Sequence, residues 1–169
     1  MIGSQIVLSA EPGGRFEGII VSGTPKPGTF MEMLPDTAKV SGRLSYRTRG
    51  TTFAQDGGRG PVAILLEDEL QGGDYSQAYT SGRHGRIYWP LPGDEFNARL
   101  RYQAGTGTSL TDNIGDQLEI DAASGMLQGI GTTGPATAHV TAPFQMIETL
   151  DTAFTADTLV AVKYLGSYN

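Results

Sequence analysis

Two histidines, His84 and His139, are the side chains in this 169-residue sequence that could act as the base for a Ser or Thr nucleophile. Such a base must itself be oriented by a third group. His84 lies in the polar, glycine-rich segment Ser81–Arg86, which is typical of a solvated turn, and His139 lies in Ala136–Ala142, an ordinary strand sequence. The sequence also lacks a Gly-x-Ser-x-Gly elbow. We therefore expect no catalytic triad.

Clustered carboxylates offer a second kind of chemistry, paired acid and base catalysis. The run Glu67-Asp68-Glu69 could supply one such group, but adjacent strand residues point to opposite faces, so at most Glu67 and Glu69 could cooperate. A small hydrolase would need a second acid such as Asp94, about 5–10 Å away in a cleft. A charged strand end is the simpler interpretation of this run.

The acidic segment Asp112–Asp121 is rich in oxygen ligands and superficially resembles a calcium loop. It lacks the ligand spacing, the Gly at position 6 and the Glu at position 12 of such a loop. No phosphate-binding loop of either common kind is present, and the absence of Cys excludes zinc–thiolate sites, iron–sulfur clusters and disulfides. We predict no metal site, no cofactor and no enzymatic activity.

Four aromatic residues that lie close together in the sequence could form a platform for a sugar. Tyr88 and Trp89 are neighbours, so in a strand one of them would face inward and the other outward. Core or interface packing is the simpler explanation for this group. The four residues are Tyr75, Tyr79, Tyr88 and Trp89.

Two segments are candidates for contact with a partner. In the predicted strand Val40–Thr48 the arginines alternate with apolar residues and form a ladder on one face, which either protects a sheet edge or contacts an acidic surface. The apolar segment Ile2–Leu8 either adds a strand to a partner's sheet or docks on its own domain. The predicted interface residues are Ile2, Ile6, Leu8, Arg43, Arg47 and Arg49.

Short strands must position all of these residues. The chain has 24 Gly and 9 Pro, which separate short alternating or β-branched runs. About ten strands are expected, so we predict an all-β fold, a short-stranded barrel or sandwich with long loops and little or no helix. The weak helix candidate is Phe144–Asp151. The strand candidates are Ile2–Leu8, Glu17–Ser22, Phe30–Leu34, Val40–Thr48, Val62–Glu67, Arg86–Leu91, Glu95–Tyr102, Gln117–Asp121, Met126–Ile130, Ala136–Ala142, Phe144–Leu150 and Thr158–Leu165.

The domain organisation and the charge are both uneven along the chain. Residues 1–15 are predicted to be an N-terminal extension or arm, and residues 16–169 a single β domain.

Residues 1–101 are neutral, so the net charge of −6 lies in residues 102–169. An acidic surface repels phosphate, which argues against direct nucleic-acid binding. No run of 18 apolar residues is present, so no membrane span is expected and we predict a soluble protein.

Seven segments, taken in order, resemble the capsid cement or head decoration proteins of tailed bacteriophages. The resemblance extends from about Phe16 to Leu165 and depends on the order and spacing of the segments, since each one is only a turn followed by a strand. The segments are Pro27–Glu32, Ala63–Glu67, Pro92–Leu100, Ile114–Leu118, Ala122–Leu127, Ala142–Glu148 and Leu159–Lys163.

The resemblance implies a structural virion protein. Proteins of this kind are small, β-rich and often trimeric, and they bind the outside of an assembled shell and stabilise it. The expected partner is the major capsid protein of the same phage, and the expected location is the outer capsid surface, after synthesis in the host bacterial cytoplasm. The resemblance also implies that Ile114–Leu118 is a turn entering a strand, with Gly115 in an unusual backbone conformation. The alternative is a carbohydrate-binding β-sandwich module on a phage fibre or a secreted enzyme.

Overall fold

The computed structural model describes residues 6–9, 15–34, 45–48, 63–67, 74–101, 114–121, 124–129, 144–150 and 156–166. These ranges contain strands and no helix, which confirms the predicted all-β class. Within them no helix is long and apolar enough to cross a membrane. The strands are β1 (Val7–Ser9), β2 (Arg15–Val21), β3 (Phe30–Met33), β4 (Ser45–Thr48), β5 (Ala63–Leu65), β6 (His84–Trp89), β7 (Glu95–Leu100), β8 (Gln117–Ile120), β9 (Leu127–Gly129), β10 (Phe144–Met146) and β11 (Thr158–Tyr164).

Five of the strands form a closed barrel in the order β2-β4-β3-β5-β6. The pairing of β2 with β4 is parallel, and the pairings of β2 with β6 and of β3 with its two neighbours are antiparallel. Inward-facing side chains fill the barrel, as expected for a ring too small to hold a channel. The buried residues of this barrel core are Ile19, Val21, Met31, Tyr46, Ala63, Leu65, Tyr79 and Ile87, with Trp89 partly buried against them.

The other six strands form a sheet in the order β1-β7-β11-β10-β8-β9. Leu127 of β9 pairs in parallel with Leu100 of β7, so the sheet curls until its last strand meets its second. In β7 the predicted alternation is confirmed, because Phe96, Ala98 and Leu100 all lie in one hydrophobic core. The polar side of β7 is covered as well, since Arg99 is buried there.

One hydrophobic core, called here the shared core, joins the barrel to this sheet. Three side chains point outward from the barrel and pack among residues of the six-stranded sheet. They are Phe30 of β3, Ile64 of β5 and Tyr88 of β6. The Phe30 ring lies 5.0 Å from the Phe144 ring and 6.3 Å from the Phe96 ring, centroid to centroid. Strand β5 is therefore buried on both faces, which explains why its sequence is a continuous apolar run.

Several predicted elements differ from the structure. The helix candidate Phe144–Asp151 contains strand β10 instead, because its first three residues pair with β11 and the first two also pair with β8. His84 begins strand β6 opposite Ile20, so the segment around it is only partly a turn. Of the predicted N-terminal extension, residues 6–9 and 15 are described, and Val7–Ser9 form strand β1, which pairs with β7. The predicted strand Ala136–Ala142 lies outside the described residues.

A Pro-Gly turn connects the two strand systems through the backbone. Thr29 N donates to Lys26 O, with Pro27 and Gly28 at the corner and Gly28 at φ +84°, the pattern of a type II turn. Gly28 N then donates to Leu65 O in the barrel, and Gly28 O accepts from Arg99 N in the six-stranded sheet. This residue therefore belongs to both hydrogen-bond networks.

We expect Gly28→Ala to lower the free energy of unfolding by about 3 kcal/mol, because the side chain adds both backbone strain and overpacking. A methyl group at this position would lie 2.6 Å from Leu159 Cδ2 and 3.3 Å from Arg99 N. Urea denaturation followed by circular dichroism measures the loss.

Gly18→Ala is the matched control, because nothing lies within 4 Å of a methyl group at that position in β2. Its free energy of unfolding should stay within about 1 kcal/mol of the parent protein. Equal stabilities for the two variants would contradict the bridging role of Gly28.

Candidate functional site

The two described carboxylates of the hydrolase hypothesis, Asp94 and Glu67, both hold backbone in place. Asp94 is completely buried, and one of its oxygens accepts from the Tyr88 hydroxyl and from Leu91 N, the latter at 2.7 Å. Glu67 Oε1 accepts from Ile6 N, so it fixes the start of strand β1. Asp68 and Glu69 lie outside the described residues.

The turn that carries Asp94 repeats the Pro-Gly design of the first one. Asp94 N donates to Leu91 O, with Pro92 and Gly93 at the corner and Gly93 at φ +104°. The turn is tied to the end of strand β11, because Gly93 N donates to Tyr164 O and Tyr164 N donates to Asp94 O. Asp94 thus joins β6, this turn and β11 in one hydrogen-bonded unit.

The segment with a calcium-like composition forms a turn followed by a hairpin. Gly115 has φ +98° and lies in a turn just before β8, as the resemblance implied. Asp121 accepts from Arg101 Nη1 at 2.9 Å and from the hydroxyl and backbone N–H of Ser124, so it closes the β8–β9 connection. Within the described residues, no group of three or more His, Asp or Glu side chains could hold a metal ion.

Three of the four aromatic candidates are engaged inside the fold. Tyr88 is completely buried in the shared core, and Tyr79 is buried in the barrel core, where its hydroxyl donates to Leu66 O at 3.0 Å. Trp89 is half-buried, and its Nε1 donates to Glu17 at 3.0 Å. Tyr75 is the exposed member of the group.

The described members of the predicted interface lie apart. Arg47 Nε donates to Glu32 Oε1 at 2.6 Å, between directly paired positions of β4 and β3, so this arginine supports its own sheet. Ile6 is completely buried in the shared core and offers no surface to a partner in this conformation. Leu8 lies within strand β1, and Ile2, Arg43 and Arg49 lie outside the described residues.

Exposed apolar side chains that the sequence interpretation missed lie on the chain segments that meet at the Tyr88–Asp94 pair. Phe16 stacks on Tyr88 with ring centroids 4.8 Å apart and is 49% exposed. Leu91 begins the Pro-Gly turn and is 38% exposed, and Leu165 follows Tyr164 and is 44% exposed. We call Phe16, Leu91, Pro92 and Leu165 the apolar end patch. Leu91, a leucine beside Pro92 and Gly93 in a turn sequence, is the feature of the sequence that could have indicated this patch.

A cleft lies where the barrel meets the six-stranded sheet. Its volume is about 450 Å³, and we call it the junction cleft. Residues from the β2–β3 connection, the end of β4, strand β7, the β8–β9 connection and the start of β11 line it. The polar residues among them are Thr24, Lys26, Thr29, Thr48, Arg99, Ser124 and Asp157.

No protein-family model matches this chain, and no curated protein matches it in sequence.

The hydroxyl of Tyr88 gives a test of the buried pair. We expect Tyr88→Phe to lower the free energy of unfolding by about 2 kcal/mol, because the buried Asp94 side chain loses the hydrogen bond that the Tyr88 hydroxyl donates. The exposed Tyr75→Phe, as control, should change it by less than about 0.5 kcal/mol. Chemical denaturation at pH 7 measures both changes, and equal effects would contradict the structural role of the pair.

The same pair predicts a dependence on alkaline pH. Burial, together with the hydrogen bond and charge of Asp94, raises the pKa of Tyr88 above its ordinary value of 10.0. A raised folded-state pKa favours the protonated phenol, so its contribution is complete below about pH 10 and is lost as the pH rises further. The stability advantage of the parent protein over Tyr88→Phe should shrink by about 1 kcal/mol between pH 10 and pH 11. A constant difference would contradict this.

Proposed function

We propose that this chain is a structural virion protein that binds the outer surface of an assembled phage capsid and stabilises it as a cement or decoration trimer. Its partner is the major capsid protein of the same phage. The order of segments from Phe16 to Leu165 resembles such proteins, and the two-part β fold is compatible with that resemblance. The role requires a stiff domain with a surface that a partner can cover.

The engagement of polar side chains inside the fold supports this proposal. Asp94, Glu67 and Asp121 each accept hydrogen bonds that fix a turn or a strand end. Buried polar groups that are fully paired make a structure rigid and specify one arrangement. A protein that reinforces a shell needs this kind of stiffness.

The apolar end patch is the observation that carries the proposal. Large apolar side chains that lie together on a protein surface often mark a site of contact with another macromolecule. This patch is built on a rigid base, because the Pro-Gly turn and Asp94 hold Leu91, and the backbone pairing at Tyr164 holds Leu165. A rigid surface loses little conformational freedom when a partner binds.

Sedimentation tests the proposal as a whole. The purified protein should sediment as a trimer and should pellet with expanded shells assembled from the major capsid protein. Many symmetry-related sites on one shell then give tight overall attachment from modest single contacts. A monomer that stays in the supernatant in the presence of shells would contradict the proposal.

Substitutions in the apolar end patch test where the contact lies. We expect Leu91→Glu and Leu165→Glu to weaken shell binding or trimer formation at least about tenfold, because each places a charge in a desolvated contact. Met33→Glu is the control, since Met33 is 59% exposed at the end of β3, outside the patch. If all three variants bind and assemble like the parent protein, the end patch is not the contact surface.

A further inference from the structure

Arg99 is an unusual buried cation. Its side chain projects from the middle of strand β7 and only 7% of the residue is exposed. Burying a charge is costly unless the charge is paired and its hydrogen-bond donors are satisfied. Nη2 donates to Tyr75 O, but the buried Nε has no hydrogen-bond partner. A guanidinium has five N–H donors, so most of its capacity is unused.

No carboxylate within the part of the chain that the structure describes forms an ion pair with Arg99. Asp157 is close enough to raise the pKa of the guanidinium, but burial has the larger effect and lowers it. Among the described residues, this buried cation therefore has no full counter-charge. The β2–β3 turn helps to hold it there, because Gly28 O accepts from Arg99 N.

Arg99 lines the junction cleft beside a second cation and several hydroxyl groups. Lys26 is exposed and forms no ion pair within the described residues. Hydroxyl groups of three lining residues, Thr24, Thr29 and Thr48, add hydrogen-bond donors.

We infer that the junction cleft is a binding site for a carboxylate group. Among the described residues the lining carries two cations, Lys26 and Arg99, and one anion, Asp157, so one further negative charge balances this set. A phosphate dianion would overcompensate and would be repelled by Asp157. The cleft volume of about 450 Å³ lies within the range of sites for small ligands. This inference does not depend on the proposed capsid role.

Two sources could present the carboxylate, a free small acid or an acidic side chain of another protein. In both cases Lys26 attracts the group from solution, the Arg99 guanidinium that lines the cleft donates to it, and the threonine hydroxyls complete the hydrogen bonds. Charge-assisted hydrogen bonds of this kind are stronger than those between neutral groups.

Titration of the intact protein with sodium acetate, followed by nitrogen–proton correlation spectra, tests the inference. Acetate should cause saturable shifts at the backbone amides of Lys26, Thr29 and Arg99 and at Arg99 Nε–H, at constant ionic strength. Acetamide, the neutral analogue, should cause none. The inference is overturned if acetate gives no saturable shift at these groups, or if acetamide reproduces it.

Peptides distinguish the two sources. The probes are capped Gly-Glu-Gly and capped Gly-Gln-Gly. If Gly-Glu-Gly binds at least about tenfold more tightly than acetate, the site takes an acidic side chain, and equal affinities assign it to a free small acid. Gly-Gln-Gly should not bind in either case. Binding of Gly-Gln-Gly as tight as that of Gly-Glu-Gly would show that charge is not recognised and would overturn the inference.

Two variants that change the charge of the junction cleft in opposite directions provide the second test, and neither alters the buried Arg99. Lys26→Met should weaken acetate binding about threefold, and Asp157→Asn should strengthen it by a similar factor. Arg15→Met is the control, because Arg15 is an exposed cation that does not line the cleft. If neither Lys26→Met nor Asp157→Asn changes the affinity relative to Arg15→Met, the junction cleft is not the site.

Discussion

The ring of Phe30 lies where the two strand systems meet, and the rest of the fold depends on that contact. Phe30 belongs to a barrel strand, yet its ring packs against Phe96 and Phe144 of the six-stranded sheet. Ile64 of β5 and Tyr88 of β6 also belong to the barrel and pack in the same shared core. The barrel has a core of its own, but its outer wall also forms part of the interior of the six-stranded sheet. An aromatic side chain buried in this way contributes several kcal/mol to stability.

Two Pro-Gly turns hold this arrangement in register. The turn at Gly28 hydrogen-bonds to both strand systems, and the turn at Gly93 joins the end of β6 to the end of β11. Asp94 in the second turn accepts from the Tyr88 hydroxyl, so a buried carboxylate stabilises the geometry of the backbone. This explains why an acid that could have served in catalysis has a structural role. The same turn also gives the apolar end patch its rigid base.

Local patterns in the sequence were enough to predict the elements but not their assembly. The alternation from Glu95 to Leu100 predicted the two faces of β7, and the run Ala63–Leu65 has the unbroken apolar character of a strand buried on both sides. The parallel pairing of β2 with β4 and the return of β9 to β7 are long-range events with no local signature.

The candidate sites were harder to predict for the same reason. Arg99 falls on the polar side of β7, where an exposed position would be the ordinary expectation, and its burial depends on covering segments distant in sequence. The role of Asp94 likewise depends on Tyr88, across a turn whose shape requires Gly93. At Arg47 the predicted alternation with the buried Tyr46 is present, but the pairing of β3 with β4, which gives that residue the partner Glu32, has no local signal.

The shared core joins the barrel to the six-stranded sheet, so we expect the two to unfold together. Native-state amide hydrogen exchange measures this most directly, since it reports the free energy of opening at each buried amide. Val21 and Leu65 represent the barrel, and Met146 and Ile147 represent the sheet; all four amides are hydrogen-bonded. The account predicts that the two pairs open with the same free energy, within about 1 kcal/mol. A difference of more than about 2 kcal/mol, with one pair still protected while the other exchanges, would contradict it.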